Sequence, residues 1–138
     1  MRRLLDPVRP GALPTVLLAP AALGVLVAGF QHARLFHRGY AEVAVVGPLF
    51  LMNAIASTVV VLALVAQRAW LFALGAVAIC VPSLVSIAIS HSSVGFLGFR
   101  EGGYDADALV IVVAELCAAA LALMAAALAL RSEPDVAR

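Results

Sequence analysis

The stretch VAVVGPLFLMNAIASTVVVLALVA, from Val43 to Ala66, carries no charge from one end to the other. As a helix rising about 1.5 Å per residue, a run of this length crosses the roughly 30 Å hydrocarbon core of a bilayer. Three further stretches share its character: Gly11 to Phe30, Trp70 to Ser90, and Ala108 to Leu130, the last interrupted only by Glu115. No water in hydrocarbon can satisfy a backbone N–H or C=O, so each segment must pair its own, and helices follow. The expected fold is therefore all-α, a single integral membrane domain over residues 1–138 with four transmembrane spans and a short polar tail at 131–138.

The composition agrees. Of the 138 residues 64% are hydrophobic and only 12% charged, against about 25% charged in an average soluble domain. A formal charge of +1 leaves no basic surface for nucleic acid, which needs clustered phosphate contacts. The lipid bilayer is the expected partner. All nine basic residues are arginines and the apolar filler is mostly Ala, Val and Leu, a composition typical of GC-rich bacterial genomes, so a bacterial cytoplasmic membrane is the expected location.

The connections, Gln31 to Glu42, Gln67 to Ala69 and His91 to Asp107, are short. Short links force neighbouring helices to run antiparallel, giving an up-down-up-down four-helix bundle. Arg2, Arg3, Arg9, Arg68, Arg131 and Arg138 then fall on one side and Arg34, Arg38 and Arg100 on the other. The bias of arginine towards the cytoplasm predicts both termini cytoplasmic. The first apolar run follows arginines and contains Val27-Ala28-Gly29, a tolerable cleavage site. It is longer than a secretory signal core and includes Pro20, so it reads as a retained span. Aromatic residues concentrate near the outer boundary (Phe30, Phe36, Tyr40, Phe96, Phe99, Tyr104), with Trp70 and Phe72 at the inner one, the interfacial belt of a membrane protein. The segment GFLGFRE, Gly95 to Glu101, is too short to span and too apolar for a solvated loop. It is expected to dip back toward the mouth of the bundle.

Polar residues inside the spans mark the candidate site. Pro20, Gly24, Ala28 and His32 recur every fourth position and share one helical face, where small residues admit a close neighbour. An alanine ladder at Ala114, Ala118, Ala122 and Ala126 runs beside Glu115 in the fourth span. Glu115 should face the interior about 12 Å deep, where a carboxylate costs several kcal/mol unless it is neutral or paired. Asn53, with Ser57 one turn on, and the face Ser83, Ser86, Ser90 offer polar atoms at similar depth. Together His32, His91, Asn53, Ser83, Ser86 and Glu115 could line a small cavity opening outward, whereas Asn and Ser in membrane helices also serve as interhelical glue.

Other chemistries find little footing. Cys80 and Cys117 lack C-x-x-C spacing and read as buried thiols, with a pairing geometrically open. No cofactor or metal site is expected, although haem or copper between His32 and His91 is an alternative, since two histidines stand near the outer ends of different helices. No nucleophile motif or phosphate-cradling loop occurs, and Ser57 and Ser83 have no histidine at matching depth, so no enzymatic activity is expected.

The first helix ending in His32, VVGPLFLMNAIAS (Val45 to Ser57), the GFLGFRE loop and VVAELCAAA around Glu115 together resemble a family of uncharacterised four-span bacterial integral membrane proteins. The likeness covers about Gln31 to Ala126 and implies the four spans but no activity. A fainter likeness, in span number and size, is to the DoxX-like membrane proteins. Small multidrug transporters are similar in span count but carry an essential acid in the first span; here the acid is in the fourth, so their mechanism does not carry over. The function expected is an accessory or small-ligand-binding membrane protein, with a small proton-coupled transporter as an alternative, acting alone, as a homo-oligomer or with a membrane-complex partner.

Overall fold

The structure, a computed structural model, describes residues 12–131, with side chains from residue 16 onward. It contains four long helices: α1 (Ala12–His37), α2 (Val46–Val65), α3 (Ala69–Ser90) and α4 (Ala106–Arg131). All four are long and apolar enough to cross a membrane, and there is no strand among the described residues beyond one isolated bridge. The tail at 132–138, the expected start of the first span at Gly11, and Arg2, Arg3, Arg9 and Arg138 lie outside the described residues.

Helix bounds differ from the hydropathy reading at the polar ends. The first helix continues past Phe30 to His37, because Arg34 and His37 favour the negative carboxyl end of a helix dipole. The second begins at Val46, not Val43: Tyr40–Glu42 form a single 3-10 turn, and Val45 takes a left-handed φ of 67°. The fourth starts at Ala106, where Asp105 accepts the Ala108 N–H through Oδ1 at 2.7 Å, an N-cap. The third begins at Ala69, a residue earlier than expected.

The helices form a ring in chain order, each packing on its neighbours, with α1 closing on α4 and touching α3 across the centre. In lipid the hydrophobic effect does not draw helices together, so close backbone approach between small residues must. Gly24 meets the ladder of α4: a β-carbon there would stand 2.8 Å from the Ala114 carbonyl oxygen and 3.1 Å from the Ala118 Cβ. Gly29 meets α2 at Ser57, and Gly75 meets Val60. The buried core around Ala21, Val25, Ala76, Ala118 and Ala122 is built accordingly, with Phe72 as its largest member at 0% exposure. Phe72 is thus core, not belt: it lies on the face it shares with Ala76 and Cys80. Pro20 departs from the seam that continues through Gly24, Ala28 and His32, and is exposed. Cys80 is buried as expected, but Cys117 is exposed and both thiols are free; Cys117 precedes the buried pair Ala118 and Ala119 and is turned off their face.

The carboxyl ends of α1 and α3 and the amino ends of α2 and α4 meet. Arg34 Nη1 pairs with Asp107 Oδ1 at 2.7 Å, and Arg38 reaches the other oxygen at 3.7 Å. The α3–α4 loop folds over this end. Its Phe96 and Phe99 exchange two backbone hydrogen bonds of 2.8 Å around Leu97 and Gly98, both at positive φ, the geometry of a two-residue hairpin turn. Glu101 N–H donates to the Ser90 carbonyl at 2.9 Å, tying the loop back to the end of α3.

Candidate functional site

Beneath the loop lies a cavity of about 280 Å³. Residues of both α2 and α3 line it; the two helices leave the tight connection at Gln67 and Arg68 and touch at Gly75 and Val60. Leu49 and Met52 on α2 and Ala78 and Pro82 on α3 line the cavity and are exposed.

Tyr40, Phe96, Phe99 and Glu101 line the end under the loop. The Tyr40 hydroxyl donates to Glu101 Oε2 at 2.7 Å, and the Tyr40 ring stacks on Phe50 at 4.9 Å and meets Phe99 edge-on. Burial first, and then the Glu101 carboxylate, push the Tyr40 hydroxyl above its usual titration range. A neutral phenol donating to a carboxylate is a charge-assisted bond, and it clasps the turn before α2 to the loop before α4. The roof is therefore partly closed where an outward opening was expected.

His32, Asn53, Ser83, Ser86 and His91 all line the cavity. Glu115 does not. It sits behind the wall at 1% exposure, and the Asn53 amide and Ser83 hydroxyl, both on the wall, are the groups beside its carboxyl. The Asn53 Nδ2 contact to Glu115 Oε1 is long, 3.5 Å, and among the described residues Oε2 has no hydrogen-bond partner. Ser57 completes the chain by donating to Asn53 Oδ1 at 3.2 Å.

The histidines are differently engaged. His32 Nδ1 lies 2.8 Å from the Ala28 carbonyl; a carbonyl can only accept, so in the neutral ring Nδ1 carries the proton and Nε2 accepts. Ser83 Oγ stands 3.4 Å from that Nε2, which corrects the reading that Ser83 has no histidine at its depth: α1 and α3 touch across the ring, a relation their sequences do not show. His91 faces the Ile87 carbonyl through Nδ1 at 2.8 Å and the Gly103 carbonyl through Nε2 at 3.1 Å, with its ring 3.9 Å from that of Tyr104. Both nitrogens are thus turned to oxygens and away from His32. Among the described residues no three His, Cys, Asp or Glu side chains gather as a metal-holding group.

The sequence reading did not name Tyr40, Glu101 and Asp105 as cavity residues, although it set Tyr40 at the outer boundary and Gly95 to Glu101 at the mouth of the bundle; Asp105 carried no signal beyond its place in a short loop. The chain matches no family model, no curated protein and no solved structure.

Proposed function

We propose that this is a four-span protein of the bacterial cytoplasmic membrane, an antiparallel up-down-up-down bundle with both termini cytoplasmic, which holds a small amphiphilic molecule and performs no chemistry of its own. The cavity between α2 and α3 carries this reading. Its walls are largely apolar and a few polar groups converge on it; exposed residues of α2 and α3 are among its lining, which supports entry between these two helices from the side, in a bilayer from hydrocarbon. Such a cavity is the default binding site of a helical bundle. The arginine bias supports the orientation, with Arg34, Arg38 and Arg100 at the cavity end and Arg68 and Arg131 at the other. The resemblance to uncharacterised four-span bacterial proteins points to the same span number.

Native mass spectrometry of gently extracted protein tests it. A small molecule should accompany the chain, and Ala78→Phe, which narrows the opening, should remove it. A chain free of any adduct, or an adduct indifferent to the substitution, would defeat the reading.

The unpartnered Oε2 of Glu115 favours a second reading, a proton-coupled carrier with Glu115 as the coupling group, because an intramembrane acid is a functional candidate by default. Ligand binding would then release protons from wild-type protein and not from Glu115→Gln; release that survives the change excludes the role.

A further inference from the structure

The polar groups around the cavity are unevenly divided between donors and acceptors. Ser86 gives its proton to the Pro82 carbonyl at 2.8 Å and Ser90 to the Ile87 carbonyl at 2.8 Å, so each presents oxygen lone pairs. Ser83 stands against His32 Nε2, an acceptor. The Tyr40 proton is taken by Glu101. The His91 ring faces the Ile87 carbonyl through Nδ1 and the Gly103 carbonyl through Nε2, and a neutral ring has one N–H for the two; Asp105 Oδ1 caps α4, leaving Oδ2.

Charge is uneven in the same sense. The carboxylates among the lining groups are Glu101 and Asp105, and no arginine among the described residues lines the cavity. Arg34 and Arg38 are turned to Asp107, and Arg100, which precedes Glu101, lays its aliphatic stem beside Gly95. Aromatic faces complete the picture: Tyr40, Phe50, Phe96 and Phe99 all border the cavity, and a cation over such rings gains about 0.5 to 2 kcal/mol as it is desolvated.

We propose that the occupant of this cavity is an apolar amine in its protonated form, its hydrocarbon body between α2 and α3 and its N–H donors toward Glu101 and Asp105. This deepens the ligand-binding reading above and rests on it. An anionic head would meet two carboxylates, and no arginine among the described residues lines the cavity to offset them. A neutral alcohol could donate one hydrogen bond where an ammonium donates several and adds charge. The volume, about 280 Å³, lies near the lower limit of small-molecule pockets, roughly 300 to 1,000 Å³, so the amine is small. Entry from the side brings it in from the bilayer, into which apolar amines partition.

The test uses three probes of one shape, phenethylammonium, phenethyl alcohol and hydrocinnamate, titrated against the full chain in phosphatidylcholine nanodiscs and followed by saturation-transfer NMR, with empty discs subtracted. The ammonium should bind about tenfold more tightly than the alcohol, and the carboxylate most weakly. Glu101→Gln should weaken the ammonium and leave the alcohol unchanged, while Ala78→Phe should weaken both. If the three bind alike, or the carboxylate binds best, the charge assignment falls and the cavity reading stands. If none binds above empty discs, both fall. The comparison among probes on wild-type protein needs no variant to fold.

Discussion

Gly24 lies against the Ala114 carbonyl so closely that a β-carbon at position 24 would stand 2.8 Å from that oxygen. The neighbour is backbone in the middle of a helix and cannot swing aside. Replacing a helical glycine by alanine ordinarily stabilises by about 0.5 to 1 kcal/mol. Here the sign should reverse: Gly24→Ala is expected to destabilise by about 1 to 3 kcal/mol through overpacking, and Gly29→Ala likewise, since its added carbon would stand 2.6 Å from the Ser57 Cβ. Gly102, with nothing nearby, is the control and should change stability by less than about 0.5 kcal/mol. Reversible unfolding in mixed micelles reads all three; a neutral or stabilising Gly24→Ala would refute the contact.

Glu115 is buried with Asn53 and Ser83 beside its carboxyl, and no cation among the described residues pairs with it. Glu115→Gln keeps the shape and the hydrogen-bonding capacity, so insertion and thermal stability should be retained. Glu115→Lys places an ammonium in the same enclosure and should cost about 2.5 to 3.5 kcal/mol. Expression and melting of the two variants compare them directly, and a lysine variant that melts with the wild type contradicts the inward placement.

The Tyr40–Glu101 clasp gives an alkaline signature. Folding raises the Tyr40 titration point above its value in the unfolded chain, which is near 10. The stability it contributes is complete below that unfolded value and declines as pH rises beyond it, because the unfolded phenol then loses its proton while the folded one keeps it. Phenolate absorbance should show a late-titrating component that Tyr40→Phe abolishes, and the same variant should flatten the loss of stability above pH of about 10. A titration unchanged by the substitution would show that the clasp does not form.

Cys117 is exposed on the outside of α4 whereas Cys80 is 1% exposed inside the ring. A nitroxide attached to Cys117 in a Cys80→Ala background should therefore collide readily with oxygen dissolved in the bilayer and hardly at all with a water-soluble nickel chelate. Strong collisions with the chelate, or no advantage for oxygen, would place Cys117 elsewhere.

Much of the architecture was legible in advance because the relevant quantity is local. An apolar run such as Val46 to Val65 must be helical in hydrocarbon whatever it packs against, and the spacing of Gly24, Ala28 and His32 or of Ala118 and Ala122 marks a face before any partner is known. Helix ends were less legible, since Gly39, Val45 and Asp105 end or begin elements through backbone conformation and a cap that hydropathy averages away. Phe72 and Cys117 were misjudged for one shared reason: depth along a span can be counted from its ends, but rotation about its axis is decided by the neighbours, and apolar residues surround each helix on all sides.

The site divides along the same line. The apolar runs, the depth of Glu115 and the supply of polar groups at one end belong to the chain as written, because they need only rise per residue and the solvation of single groups. Which groups meet was decided by the tertiary structure alone. The contact of Ser83 with His32, the clasp of Tyr40 on Glu101, and the retreat of Glu115 behind Asn53 each join residues from different helices or loops, and such contacts depend on crossing and rotation, which small residues at the seams permit but do not spell out.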